Sequence, residues 1–255
     1  MNSQRIDRTS GPFTWETYNL YLDAALASGY RFIGFDRMAG NALLPEGPFI
    51  LLRHDIDYDP SWVFPVSRLE VKKGIQATYF FQTDSKFYRC HSPETRVAIE
   101  EVLAQGHWLG LHFDANAIED DEKILDLVEE AAAELETRFA TSIAAVSFHM
   151  PTRRPVQHLR LKNNRINTYS PLFFESIEYV SDSNQDWRGK DLLQLVRDGH
   201  CRRIQLLIHP IWWRETHTPF HVKIAELAAK LGIPVEDIVT AEQLALLRGD
   251  GAMTL

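Results

Sequence analysis

The feature that most constrains this chain is an alternation. Short apolar runs recur, and between them lie longer stretches with helical spacing. The runs are Phe49-Ile50-Leu51-Leu52, Thr78-Tyr79-Phe80-Phe81, Trp108-Leu109-Gly110-Leu111, Ala144-Ala145-Val146-Ser147-Phe148, Ile177-Glu178-Tyr179-Val180 and Ile204-Gln205-Leu206-Leu207-Ile208. Helices are expected over 14–28, 60–73, 93–105, 120–139, 191–197 and 218–232. The fourth places Ile124, Val128, Ala131, Leu135 and Phe139 on one face. Caps agree: Asp59-Pro60 and Ser92-Pro93 open helices, and Gly29, Gly74, Gly106 and Gly232 close them. Pro65 lies early in the second helix, where it can kink it. Residues 41–48 read as a loop, 151–174 as loop-rich, and Thr240-Ala241-Glu242-Gln243 as the capping box of a last helix. Six clear strands and one doubtful one, joined by helices, imply a parallel sheet with crossover connections. No Gly-rich phosphate loop follows the first strand, which disfavours a dinucleotide-binding domain. A closed or nearly closed α/β barrel fits better, and 255 residues are a normal length for one.

The formal net charge of −8, with no Lys/Arg stripe, argues against a nucleic-acid partner. Cys90 and Cys201 are in no metal-type spacing, so reduced thiols are expected. The first residues hold no apolar signal region, and no run approaches the ~20 apolar residues of a membrane span. A cytoplasmic protein is the expectation.

Polar residues gather where the strands end. The first ends in Arg53-His54-Asp55-Ile56-Asp57, the third in His112-Phe113-Asp114, the fourth in His149-Met150-Pro151, the fifth in Ser181-Asp182-Ser183-Asn184 and the sixth in His209-Pro210. In a parallel barrel all these ends lie on one rim, which is where barrel enzymes carry their chemistry. Asp55 and Asp57 alternate along an extended strand and share a face, whereas His54 faces away. His and Asp suit Zn²⁺ or a similar ion, and a catalytic ion needs about three protein ligands. Asp57, His112 and one more residue would supply them. Asp55 could then act as general base and His209 as general acid in metal-assisted hydrolysis. His107 opens a strand at the opposite end and reads as structural. His91, His158, His200, His217 and His221 read as surface residues.

The segments Arg53–Asp57, Gly106–His112, Phe148–Pro151 and Leu206–Pro210 follow the motif order of the polysaccharide deacetylase (NodB-homology) family, and the chain resembles it over about residues 45–215. The stretch Tyr179-Val180-Ser181-Asp182-Ser183 followed by Trp187 is most similar to an intracellular branch tied to surface-polysaccharide (O-antigen, capsule) synthesis. The resemblance implies a single domain with a distorted (β/α)7-type barrel at 46–215, a helical extension at 1–45 and C-terminal helices at 216–255. It implies removal of an N-acetyl group from an acetamido sugar of a surface-polysaccharide precursor, with a divalent metal, usually Zn²⁺. By the motifs, Asp55 is the base, Asp57 and His112 are metal ligands, and His209 is the acid.

Two positions depart from that pattern. Asn116 stands where a second metal histidine is usual, and His149 stands near where an arginine is usual. His149 is the candidate third ligand, or else a residue that orients Asp55. Asp114 is an alternative for that place, or a substrate contact. Arg53 and Asp182 are candidates for holding sugar hydroxyls or each other. Tyr169, Trp187 and Trp212 are candidates for stacking on sugar rings, with Trp213 read as core. The departures keep two other readings open: a sugar-binding relative without activity, and a metal-free C–N hydrolase of the same fold.

Overall fold

The computed structural model describes residues 12–38, 44–240, 243, 244 and 247. The expected loop at 41–48 and the last helix fall partly outside them, as do residues 1–11 of the N-terminal extension. The strands are β1 (Arg31–Phe32), β2 (Phe49–Ile56), β3 (Thr78–Phe81), β4 (Trp108–Phe113), β5 (Ala145–Phe148), β6 (Ile166–Asn167), β7 (Glu178–Ser181) and β8 (Arg203–Ile208). The helices are α1 (Trp15–Ala27), α2 (Val63–Lys72), α3 (Pro93–Ala104), α4 (Asp121–Phe139), α5 (Pro171–Glu175), α6 (Leu192–Arg197) and α7 (Phe220–Leu231). The six expected strands are all present. The two that sequence reading missed, β1 and β6, are two residues long and carry no periodic signal. A short 3₁₀ turn at Pro60–Trp62 precedes α2. Pro65 therefore stands in the first turn of α2, where its missing N–H has no helical partner to lose, and the helix continues unbroken.

Every ladder is parallel, and the sheet order is β6-β5-β4-β3-β2-β8-β7, with β1 against the start of β2. Followed in chain order, each strand from β2 to β8 neighbours the next except β6, which does not pair with β7, and β8 returns to β2. The domain is thus a single α/β unit whose parallel sheet curls into a distorted (β/α)7 barrel with one seam open.

All eight residues of β2 are buried, as expected of a parallel strand covered on both faces. Ile50, Leu52 and Ile56 face the helices, in one core with Val66, Ile99, Val128 and Leu227. Phe49 and Leu51 face inward, in a second core with Phe80, Ala145, Ile166, Phe173 and Ile177, plugged by Phe35 and Met38. The Phe80 ring lies across β4 at Gly110, where a Cβ would come within 2.4 Å of it. The open seam is stitched by side chains. Gln205 of β8 donates from Nε2 to the carbonyls of Thr168 (3.2 Å) and Phe173 (3.4 Å). Phe174 also spans the gap, lying between Tyr169 and Tyr179 with ring centroids 5.4 and 4.6 Å away. This apolar floor forces the inward-facing polar residues of β2 to the upper half of the barrel.

Candidate active site

The same parity that buries Phe49 and Leu51 carries Arg53, Asp55 and Asp57 up the inner face of β2. Arg53 is completely buried. Its guanidinium lies over the Tyr169 ring, 4.7 Å from the centroid, and donates to Asp55 at both ends: Nε to Oδ1 (3.1 Å) and Nη2 to Oδ2 (2.8 Å). Its other bonds go to Thr168, Gln205, Ser147 and the Tyr169 hydroxyl. Burial alone would raise the Asp55 pKa, but Arg53, then His112, hold it below the ordinary carboxylate range. Asp55 is thus ionised and weakly basic.

Ser147 of β5 connects this pair to the next strand. Its Oγ donates to Asp55 Oδ2 (2.8 Å), accepts from Arg53 Nη2 (2.8 Å) and lies 3.0 Å from His112 Nδ1. A hydroxyl has one proton to give. With that proton on Asp55, His112 must be the donor from Nδ1, which fixes the ring and aims its other nitrogen at Asp57: His112 Nε2 is 2.9 Å from Asp57 Oδ1. Neither atom has a hydrogen-bond partner, although both are buried. An imidazole nitrogen and a carboxylate oxygen this close, neither bonded to anything else, could hold a cation between them in place of a proton.

His209, just after β8, approaches the other oxygen, with Nε2 3.5 Å from Asp57 Oδ2. Its Nδ1 is 2.6 Å from Asp182 Oδ1. Asp182 is itself fixed by the His209 backbone N–H (2.9 Å) and by Trp213 Nε1 (2.8 Å). Burial alone would lower the His209 pKa, but Asp182, and then Asp57 and Asp55, push it up to about 9. Asp57 moves oppositely: burial would raise it, but His112 and His209 hold it far below the usual range.

His149 and Asp114 follow β5 and β4 on the same rim. His149 Nδ1 is 3.1 Å from Asp114 Oδ2, and its ring centroid is 5.5 Å from that of His112. Asn116 braces this couple: its Nδ2 donates to Asp114 Oδ1 (2.7 Å) and to the His149 carbonyl (3.0 Å). Both acceptors fix the amide, so Nδ2 points to them and Oδ1 is left buried without a donor.

The rim therefore brings Asp55, Asp57, His112, His149 and His209 together. The residues expected at the substrate are placed differently. Arg53 and Asp182 do not meet; each is buried and holds a different catalytic candidate. The Tyr169 hydroxyl accepts from Arg53 inside the barrel. Trp187 packs among Phe13, Tyr21 and Trp213, and Trp212 against Tyr58 and Phe220; both indoles are only 2% exposed. Of that group only Asp114 reaches solvent, at 46%. Sequence reading missed Ser147, Thr168 and Gln205. Their signal was a lone polar residue at an inward-facing position of an otherwise apolar strand or its end. His54 faces the helices as expected, 2.7 Å from buried Glu70 and stacked on Tyr79. His107 accepts from the Ala77 N–H at the far end.

Among the described residues no three His, Cys, Asp or Glu side chains form a ready-made metal group. The donors nonetheless suit a divalent ion in part: Asp57 Oδ1 and His112 Nε2 are oriented, unpartnered and convergent.

No protein-family model matches the chain, and no curated protein matches it. Among solved structures the chain is similar to IcaB from Ammonifex degensii, at 21% identity over 59% of this chain and 78% of that one, with a TM-score of 0.42. It is similar to the deacetylase PplD from Streptococcus pyogenes in complex with acetate, at 14% identity over 80% and 87%, with a TM-score of 0.46. It is also similar to the catalytic domain of a peptidoglycan N-acetylglucosamine deacetylase from Eubacterium rectale, at 15% identity over 77% and 89%, with a TM-score of 0.48. Likenesses this distant leave the chemistry to be argued from the side chains.

Proposed function

We propose that this chain is a metal-dependent hydrolase that removes the acetyl group from the nitrogen of an acetamido sugar. The observation that carries the reading is the division of labour around Asp57. Its Oδ1 faces His112 Nε2 at 2.9 Å, its Oδ2 faces a histidine held as a cation, and a second carboxylate, Asp55, stands beside them. Asp57 and His112 would hold the ion. His149 is the third ligand we assign, through Nε2, because its Nδ1 is already anchored on Asp114 in the way ligand histidines are. When bound, a divalent ion, Zn²⁺ by its donor preference, acidifies a water and polarises the acetamide carbonyl.

The residues complete the chemistry. Asp55 accepts the proton of the attacking water. Clamped by Arg53 it is too weak a base for ordinary water, so it needs the acidified one. His209, charged at neutral pH, gives its Nε2 proton to the departing nitrogen, and Asp182 keeps the ring oriented through Nδ1. A surface-polysaccharide precursor in the cytoplasm is the substrate setting we favour.

Replacing Asp55 by Asn, or His209 by Gln, tests these roles. Acetate release from N,N′-diacetylchitobiose should fall by about 10²–10⁴-fold in each. Unchanged turnover in Asp55→Asn would remove the base from the scheme.

A further inference from the structure

The rim is not symmetrical about Asp57. Between the loop after β3 and α4 lies a cavity of about 330 Å³ that includes His112 in its wall. That is the lower end of ligand-pocket sizes, room for one small polar unit. Gln82, Asp84, Asp114, Glu130 and Glu134 also line it, and no lysine or arginine does. Asp114 is paired with His149, and Glu134 with His91 at 3.0 Å. Asp84 and Glu130 are exposed and have no ionic partner among the described residues. The wall therefore carries net negative charge beside the proposed reaction centre.

A second feature is independent of that charge. Gln82 follows β3 with the parity of Phe80, so it points to the inside of the rim. It is 7% exposed, and its backbone N–H is satisfied by the Tyr88 hydroxyl at 2.7 Å. Its carboxamide makes no hydrogen bond among the described residues and lines the cavity. A side chain more than nine-tenths buried, whose unpartnered amide lines a cavity, is a prepared contact for a polar ligand.

We propose that this cavity is a subsite for a neighbouring sugar unit that carries a free ammonium group, and that it rejects phosphate-bearing units. The Gln82 amide takes a sugar hydroxyl, and Asp84 with Glu130 supplies the charge that favours the ammonium. The inference rests on the deacetylase reading and sharpens it, because N-deacetylation leaves an amine on each sugar it has treated. The substrate class becomes a short, partly deacetylated amino-sugar oligomer.

Calorimetric titration of the full-length chain at neutral pH tests this with three probes: the mixed glucosamine–N-acetylglucosamine dimer, N,N′-diacetylchitobiose and N-acetylglucosamine 6-phosphate. The mixed dimer should bind about five-fold tighter than the diacetyl dimer, as one favourable exposed charge contact allows. The preference should shrink at high salt and vanish in Asp84→Asn/Glu130→Gln, whose exposed positions leave the fold intact. Equal binding of the two dimers, tightest binding of the phosphate sugar, or a preference that survives in the double variant would overturn the proposal. Acetate release is read separately. A chain that prefers the mixed dimer but hydrolyses nothing keeps the subsite and loses the deacetylase reading.

Discussion

Ser147 decides more about this site than its size suggests. One hydroxyl proton, given to Asp55, leaves its oxygen to accept from His112 Nδ1 and so aims His112 Nε2 at Asp57. Groups that orient a ligand histidine are worth about 10–100-fold in metal affinity. Ser147→Ala should therefore weaken zinc binding by about that factor in calorimetry, with far-UV circular dichroism unchanged. Undiminished affinity would show that His112 needs no such anchor. Arg53 acts the same way on Asp55. Asparagine at 116 has a parallel consequence: its amide grips Asp114 and the His149 carbonyl, and so holds a histidine from β5 at the rim.

At the scale of elements, the barrel is a ring of consecutive parallel strands whose one gap, between β6 and β7, is closed by side chains instead of a ladder. Gln205 carries much of that closure. Gln205→Leu would strip the buried carbonyls of Thr168 and Phe173 of their donor, at a cost of about 1–3 kcal/mol. Hydrogen exchange should rise at residues 166–175 and not in β2 or β3, whereas uniform protection would mean the seam is held by packing alone. The strands and the polar rim were legible because His or Asp residues follow the apolar runs at the same end of five of the six expected strands. The interior was not. A serine in Ala-Val-Ser-Phe or a glutamine in Ile-Gln-Leu announces only which face it takes, and its partners depend on strands distant in sequence. The tryptophans show the same limit. Nearness to His209 in sequence suggested Trp212 for the pocket, yet Trp213 is the one that touches Asp182, and both indoles are core.

For the whole molecule, the buried charges make stability depend on pH in two windows. Asp55, Asp57 and Glu70 all lie below their ordinary values, although burial alone would raise each; Arg53 acts on the first, and histidines act on the other two. Stability from such groups is fully present above the unfolded carboxylate pKa of about 4 and is lost as pH falls below that value through their lower folded pKa values. His209 has the opposite sign. Its pKa is raised to about 9, so its contribution is complete below the unfolded histidine pKa and disappears as pH rises through about 9. The difference in Tm between the metal-free wild type and His209→Gln should accordingly narrow between neutral pH and pH ~10. A constant difference would mean that Asp182 and Asp57 do not hold that proton. The central claim, that these charges assemble around a catalytic ion, is tested most directly by titrating zinc into metal-free protein while recording acetate release from N,N′-diacetylchitobiose. Release should rise from nothing and saturate at about one ion per chain, and Asp57→Ala should stay flat. Full release before any zinc is added, or none with the ion bound, would contradict it.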